Sequence, residues 1–314
     1  MEDMPRTTPL YTRVLGAGLS GTVLVLGGTD SGKTTLVRVL WQELGKHLEA
    51  IALLDTDPGQ GFTGPPSTLT LTVRKQCSAG VTLARRRYFI GNTSPRGHML
   101  PMLAGTARLH QEACKQNVPL LLVDTCGFVS WEGGGVVLKN HKIECLRPSW
   151  ILALQKEDEL EPILRAWEGL ESMRVMRLRV PDTVRIKTSA ERRTRRNDRF
   201  QRYFAHASVV SLSLQRRRRF FYHSLQRGRL LGLLDEQDFL LSLGILLAWH
   251  PTRQVMEIRT PFEDIERVSA IRTGRLLLNP LTGEEVIPMA ALRRKEGVQE
   301  QPSASEQSRH ETTD

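Results

Sequence analysis

Three glycines, a lysine and three threonines are grouped in the nine residues that begin at Gly27. In this spacing the glycines let backbone N–H groups turn inward around an anion, and a following helix adds the positive end of its dipole. Lys33 can reach the β- and γ-phosphates of a nucleotide, and the Thr34 hydroxyl is a typical Mg²⁺ ligand. The pattern is a complete G-x-x-x-x-G-K-T phosphate-binding loop, formed by Gly27, Gly28, Thr29, Asp30, Ser31, Gly32, Lys33, Thr34 and Thr35.

Three aspartates end two apolar runs elsewhere in the chain. Asp55 and Asp57 follow the run 50–54, and Asp124 follows 120–123. A carboxylate at a strand end can hold Mg²⁺ or accept the proton of an attacking hydroxyl, although Asp-Pro-Gly is also an ordinary turn signal. Spacing does not decide which of the three contacts the metal, and we expect at least two of them around it. Gln60 is predicted to orient the nucleophile or the nucleotide.

A basic segment after residue 190 places Arg192, Arg196 and Arg199 at helical spacing on one face. Arginines that close over a transferring phosphoryl group neutralise its developing charge and are worth about 10³–10⁵ in rate. A charge run is more often a solvated helix face, but few acidic residues offset this one. The later run 216–219 is less regular and is interpreted as a patch that follows phosphates.

The elements around these residues alternate in type. Continuous apolar strands that alternate with helical patterns predict a parallel sheet covered by helices on both faces. After about residue 226, short apolar runs split by Gly, Pro and Asp predict a small β-rich domain. Strands are predicted at 23–26, 50–54, 69–73, 81–84, 87–90, 119–124, 150–154 and 183–187, and helices at 33–44, 98–117, 135–145 and 157–168.

The predicted fold is therefore an α/β P-loop NTPase with a mostly parallel sheet and a small C-terminal β-rich domain. Residues 1–20 form a lead-in, 21–222 the P-loop domain with an arginine lid at about 188–204, and 223–292 the β-rich domain. Residues 293–314 are polar and poor in apolar side chains, which predicts a disordered tail.

Composition limits the classes of function. The 314 residues carry a net charge of +10, and most of the excess lies between Arg174 and Arg229, which favours a polyanionic partner. The four cysteines form no C-x-x-C pair, so neither a disulfide framework nor a zinc site is indicated. No apolar run approaches the ~20 residues of a membrane span, and no signal-peptide pattern begins the chain, so we expect a cytoplasmic protein with no membrane partner.

Five motifs in order resemble the P-loop polynucleotide 5′-hydroxyl kinase family, which includes the RNA kinase of the pre-mRNA cleavage machinery, the nucleolar pre-rRNA kinase and archaeal homologues. The phosphate loop is similar to the family's G-x-T-D-x-G-K-[ST]-[ST]. The other motifs are D-x-D-x-G-Q at 55–60, G-x-T-S-P at 91–95, a clasp T-x-G-W at 125–128 with Phe128 in place of Trp, and R-R-x-x-R-x-x-R-x-x-x-Y at 192–203.

The resemblance implies transfer of the ATP γ-phosphate to the 5′-hydroxyl end of a nucleic acid, with RNA favoured over DNA and Mg²⁺ as cofactor. Lys33 would hold the triphosphate, Thr34 with Asp55 the metal, and Asp124 is a further metal candidate. Asp55 or Asp57 would activate the hydroxyl, while Phe128 or the nearby Trp131 would stack on the terminal base. The lid would comprise Arg192, Arg193, Arg196 and Arg199, and the substrate site would also include Gln60, Thr125 and Gly127.

Two other interpretations remain open. A regulatory or assembly NTPase is suggested by Gln155-Lys156-Glu157-Asp158, which resembles the guanine-reading N-K-x-D, and by an Asp-x-Asp-Pro pattern shared with partition ATPases. The first position of the N-K-x-D-like pattern is Gln and not Asn, and the phosphate loop lacks the second lysine of the partition ATPases. The second alternative is a scaffold protein that keeps the fold but has no catalytic activity. A preference for ATP over GTP would separate the kinase from a GTPase switch.

Overall fold

The structure is a computed structural model that describes residues 9–78 and 80–286. Helix α1 lies in the predicted lead-in, whose residues 1–8 are outside the described residues, as is the predicted disordered tail, 293–314. The α-helices of the described part are α1 (Pro9–Leu15), α2 (Lys33–Leu44), α3 (Met99–Cys114), α4 (Gly135–Leu146), α5 (Glu161–Leu164) and α6 (Ser189–Phe204).

The first sheet contains the apolar runs. Its strands are β1 (Gly21–Gly27), β2 (Ala50–Thr56), β3 (Thr68–Cys77), β4 (Gly80–Phe89), β5 (Leu120–Thr125), β6 (Trp150–Gln155) and β7 (Arg174–Arg179). They lie in the order β4-β3-β2-β5-β1-β6-β7. Strands β2, β5, β1, β6 and β7 run parallel, and β3 and β4 continue the sheet antiparallel at one edge.

Helices cover both faces of this sheet. Helix α2 packs its buried Leu36, Val37 and Leu40 against one face, where α1 also lies. Helices α3, α4 and α5 bury apolar side chains against the other face, for example Met102 and Ile143. This arrangement explains why the central strands are apolar without alternation, and it confirms the predicted fold class.

The register of the central strands places the candidate site. Asp55 on β2 is directly opposite Asp124 on β5, and Asp124 is opposite Val25 on β1. Because these strands are parallel, their carboxyl ends meet at the edge where the phosphate loop leaves β1. The chain therefore brings two of the predicted carboxylates next to the predicted phosphate site.

A second sheet follows helix α6. It is antiparallel except where β9 pairs with β13, and its order is β8-β12-β11-β10-β13-β9. The predicted domain boundary at 222/223 falls inside this sheet, since its first two strands precede residue 223, and the division into domains stays a prediction. The strands are β8 (Ser208–Ser213), β9 (Arg218–Phe220), β10 (Arg229–Leu234), β11 (Leu240–His250), β12 (Val255–Thr260) and β13 (Ala270–Leu277).

Helix α6 lies between the two sheets. Thr188 and Glu191 cap its N-terminus reciprocally: the Glu191 N–H donates to Thr188 Oγ1 at 3.1 Å, and the Thr188 N–H donates to Glu191 Oε2 at 2.7 Å. Near its C-terminus, Phe200 and Phe204 are fully buried in an apolar cluster with Phe89 and side chains of the second sheet. The basic face of α6 is therefore carried by a helix that is anchored on its apolar side.

Two local predictions are wrong. The strand after α5 forms at Arg174–Arg179, and residues 183–187 are turn and irregular backbone. The predicted helix 157–168 is reduced to α5 and a 3₁₀ turn, Arg165–Trp167. In the described residues, none of the helices has the length and apolar character to cross a bilayer.

Candidate active site

The lysine of the phosphate loop forms hydrogen bonds across the loop. Lys33 is buried, and its Nζ donates to the Gly28 carbonyl and to Ser31 Oγ at 3.3 Å. Asp30 and Gly32 have positive φ, 54° and 87°, which turn the loop around the helix N-terminus. Burial lowers the pKa of Lys33, while the charge of Asp124 opposes that shift. The arrangement is a preformed anion cradle with a cation at its centre.

Thr34 and Asp124 form the contact next to this cradle. Thr34 Oγ1 donates to Asp124 Oδ2 at 2.7 Å, whereas Asp124 Oδ1, fully buried, has no hydrogen-bond partner among the described residues. Burial raises the pKa of Asp124 to about 7, and the charge of Asp55 adds to the shift. A buried carboxylate with an unused oxygen, beside a hydroxyl, is suited to a hard divalent cation.

Asp55 has a different environment from the one predicted. Its Oδ2 accepts from the Phe62 N–H at 2.6 Å, the Thr63 N–H at 3.1 Å and Thr63 Oγ1 at 3.0 Å, and its Oδ1 accepts from the Asp57 N–H at 3.2 Å. Thr34 therefore pairs with Asp124, whereas Asp55 organises the loop after β2. Burial raises the pKa of Asp55, against the effect of these hydrogen bonds.

Asp55→Asn should destabilise the fold by about 2–3 kcal/mol, because the amide cannot accept all of these hydrogen bonds and leaves buried donors unpaired. Urea unfolding of the variant measures the loss. Asp158→Asn, at an exposed position, is the control and should unfold as the wild type does. An unchanged midpoint for Asp55→Asn would contradict the loop-organising role.

Asp57 and Gln60 connect the same loop to the lid. Asp57 is half-buried, and its Oδ1 accepts from the N–H groups of Gly59 at 2.9 Å and Gln60 at 2.8 Å. Gln60 Nε2 donates to the Arg192 carbonyl at 3.3 Å. Of the three aspartates, Asp57 is the only one whose side chain is not buried, so it is the carboxylate that an incoming hydroxyl can approach.

The four predicted lid arginines have three different partners. Arg192 Nη1 donates to Asp30 Oδ2 at 2.8 Å, which fixes the start of α6 to the phosphate loop. Arg199 donates to the Gly64 carbonyl, and burial lowers the pKa of Arg199 although Asp55 and Asp57 face it. Arg196 makes a two-point contact with the Glu285 carboxylate at 2.7 and 3.2 Å, and Arg193 Nη2 donates to the Glu285 carbonyl at 2.9 Å.

The clasp contacts the phosphate loop through its glycine. A Cβ on Gly127 would lie 2.5 Å from Thr29 Cα, so only glycine fits there. Thr125, a predicted substrate-site residue, is buried, and its Oγ1 donates to the Val25 carbonyl at 2.8 Å, which joins β5 to β1.

The two candidate rings differ in accessibility. Phe128 is half-buried against the core, with the Arg96 guanidinium 5.4 Å from its ring centre and Gly133 close to its edge. Trp131 is 72% exposed. Trp131 is therefore the ring with a face free for a base.

Two buried lysines under the site were not predicted. Lys139 Nζ donates to the Cys126 carbonyl at 2.6 Å, and Lys142 Nζ donates to Thr56 Oγ1 at 2.8 Å; both side chains are fully buried. Thr56 Oγ1 in turn donates to the Asp124 carbonyl at 2.8 Å. The helical spacing in the sequence could have indicated their burial, since both lysines share the inward face of α4 with Val136 and Leu146.

The stability of the protein should depend on pH through Lys142. Burial lowers its pKa from 10.5 to about 8, so the unfolded chain binds an extra proton between these values and stability rises with pH across that window. The rise is worth about 3 kcal/mol. Unfolding at pH 8 and pH 10 should show this rise in the wild type and a clearly smaller one in Lys142→Met, where the buried Lys33, whose pKa is also lowered, still contributes. Lys115→Met, at an exposed lysine, should keep the wild-type dependence, and loss of the dependence in both variants would contradict the assignment.

A protein-family model described as "mRNA cleavage and polyadenylation factor CLP1 P-loop" matches residues 27–206. These residues include the phosphate loop, the three aspartates and the whole of α6. The chain belongs to the CLP1 P-loop family. The family resemblance predicted from the sequence motifs is thereby confirmed, and the family is one of nucleotide-binding P-loop proteins.

Curated relatives in the CLP1 P-loop family align along most of the chain. The polyribonucleotide 5′-hydroxyl-kinase of Pyrococcus furiosus is 28% identical, covering 90% of this chain and 95% of its own length. That of Pyrococcus horikoshii is 30% identical, covering 84% of this chain and 88% of its own length.

A solved structure extends the likeness to the fold. The Clp1p chain of a wild-type Clp1p–Pcf11p complex superposes with a TM-score of 0.64 over 85% of this chain and 77% of that one. The sequence identity is 12%, so the likeness concerns the CLP1 P-loop architecture alone.

Proposed function

We propose that this chain is an ATP-dependent polynucleotide 5′-hydroxyl kinase that acts on RNA ends in RNA processing or repair. The observation that carries the proposal is the contact of Arg192 with Asp30, which brings an arginine lid onto the phosphate loop within reach of the Asp57 loop. A donor phosphate, a neutralising arginine and an accessible carboxylate are the parts that phosphoryl transfer needs. The names of the Pyrococcus relatives support the same reaction.

In this reaction the 5′-hydroxyl oxygen attacks the γ-phosphorus of ATP, its proton passes to Asp57, and the β,γ-bridging oxygen leaves with ADP. Lys33 and the loop N–H groups hold the β- and γ-phosphates. Arg192 and Arg199 close over the transferring group. Arg193 and Arg196 could contact the transferring group only if they left Glu285. In the structure they bind Glu285 and thereby position α6.

Mg²⁺ fits the residues present. The unpartnered Oδ1 of Asp124 and the hydroxyl of Thr34 would hold it, and Asp55 would support the loop beside it. Bound Mg²⁺ would supply positive charge that neutralises the negative charge developing on the phosphates during transfer. In the described residues no cluster of three or more His, Cys, Asp or Glu side chains forms a metal site.

The decisive experiment is transfer of label from γ-labelled ATP to a 5′-hydroxyl oligoribonucleotide in the presence of Mg²⁺. Transfer, with ATP preferred to GTP, is expected. ATP binding without transfer to RNA or to a matched DNA would overturn the kinase assignment and favour a regulatory NTPase. Lys33→Ala should remove transfer, and a retained rate would exclude the proposed donor site.

Trp131 is proposed to stack on the terminal base. Trp131→Ala should raise the KM for the oligonucleotide about tenfold or more with little change in kcat, since base–aromatic stacking is worth about 1–3 kcal/mol. Steady-state kinetics measure both constants. Trp131→Phe keeps a ring and should restore most of the affinity. A larger effect from Phe128→Leu than from Trp131→Ala would assign the stacking to Phe128 instead.

A further inference from the structure

A basic cleft opens next to the proposed base. It has a volume of about 690 Å³ and lies between α6 and the loop 59–65. One acidic side chain, Asp198, lines it. Its basic side chains are six arginines, namely Arg38, Arg87, Arg195, Arg196, Arg199 and Arg202.

The arginines come from separate parts of the fold. Arg38 is on α2, with its guanidinium 4.5 Å from the centre of the Phe62 ring, and Arg87 is on β4. The others are on α6. Convergence from three elements distinguishes the cleft from the solvated face of a single basic helix.

One of these arginines is incompletely paired. Arg87 Nε is buried and has no hydrogen-bond partner in the described part of the chain. A buried guanidinium N–H without a partner is costly. Burial also lowers the pKa of Arg87, which agrees with a cation that lacks a fixed counter-charge. Arg87 lines the cleft, where an anion would supply the counter-charge that its guanidinium lacks.

The cleft is continuous with the reacting centre. Gly59 and Gln60 line it, and their N–H groups bind Asp57 Oδ1 at 2.9 and 2.8 Å. From Arg195 to Arg202 the helix advances about 10 Å. That length matches about three phosphates of a stacked helical strand, at an axial rise of about 3.4 Å each. A strand whose first residue reacts at Asp57 has its next phosphates beside these arginines.

We propose that this cleft binds the phosphodiester backbone of the acceptor strand immediately downstream of its 5′ end. The inference rests on the proposed kinase function. Guanidinium groups contact phosphate oxygens without reading bases, so binding in the cleft is independent of base sequence. Its strength depends on strand length and on salt.

The experiment compares a 5′-hydroxyl dinucleotide with a dodecanucleotide as acceptors. Arg38→Ala/Arg87→Ala should lower kcat/KM for the dodecanucleotide at least about tenfold, because hydrogen bonds to charged groups are lost, and should affect the dinucleotide, which has a single phosphodiester, far less. Arg253→Ala, at an exposed turn of the second sheet, is the matched control and should change neither. An equal loss on both acceptors, or none on either, would overturn the proposal.

Binding provides a readout that does not need the reaction. Anisotropy of a labelled dodecanucleotide, titrated at several salt concentrations, should give a salt slope that is smaller by about 1.4 in the double variant, at about 0.7 for each lost phosphate contact. If the wild type phosphorylates neither acceptor, the kinase function fails while this slope still tests the cleft. An unchanged slope, or tighter binding of polyglutamate than of the oligonucleotide, would refute the nucleic-acid assignment.

Discussion

Arg192→Ala is expected to lower kcat for 5′-hydroxyl phosphorylation by about 10³-fold or more, the range measured for arginines that neutralise a transferring phosphoryl group. The structure gives the reason, since the Arg192 guanidinium bonds to Asp30 inside the phosphate loop at 2.8 Å. Its loss would remove positive charge from the phosphate loop, beside the proposed transfer site, and one contact that holds the start of α6. Single-turnover transfer from labelled ATP measures the effect, and the ATP dissociation constant should change far less than the rate.

Two control variants distinguish the loss of the Arg192 charge from a general disturbance of the fold. Arg185→Ala removes an exposed arginine that pairs with Glu191 just before α6, and the rate should stay near that of the wild type because exposed pairs contribute little. Arg192→Lys should recover part of the rate, since an ammonium keeps the positive charge but lacks the planar fork of donors of a guanidinium. A kcat within tenfold of wild type for Arg192→Ala would contradict the lid role.

Asp124→Asn should lower kcat by about 10³-fold and weaken the apparent affinity for Mg²⁺, because a metal that neutralises phosphate charge supplies several kcal/mol. The substitution preserves shape and can still accept from Thr34, so the fold should persist. Titration of Mg²⁺ against the transfer rate measures the change. Thr34→Val should produce a similar defect and Thr34→Ser a much smaller one.

The pH dependence of Mg²⁺ binding gives an independent test of Asp124. Burial raises the pKa of this carboxyl to about 7, so below that pH it takes up a proton and loses its capacity to hold a cation. The apparent Mg²⁺ affinity of the wild type should therefore fall as the pH drops through 7. Asp124→Asn should show no such transition, and a wild-type affinity that is flat from pH 8 to pH 6 would contradict the assignment.

Much of the first sheet could be predicted from sequence, because its strands are continuous apolar runs and the phosphate loop fixes the order of β1 and α2. The strand Arg174–Arg179 escaped prediction for a physical reason. It is an edge strand with a half-exposed surface, so arginines alternate with Val175 and Leu178 and the run resembles a basic loop. The start of the second sheet was missed similarly, since β8 has mostly exposed or half-exposed positions.

The residues of the candidate site could be singled out from the sequence, but the pairings between them could not. Asp55 and Asp124 are neighbours in the register, yet loop N–H groups reach only Asp55, which leaves Asp124 for Thr34. Partner choice of this kind depends on contacts between distant parts of the chain. Lys142 and Thr56 are separated by 86 residues, and Arg196 and Glu285 by 89.

The burial of Phe200 and Phe204 has a mechanical consequence. These rings fix the C-terminal half of α6 to the second sheet, while Arg192, about 12 Å nearer its N-terminus, contacts the phosphate loop. The second sheet therefore holds one end of the helix whose other end contacts the phosphate loop. A displacement of that sheet would move α6 and, with it, the contact of Arg192 with Asp30 in the phosphate loop.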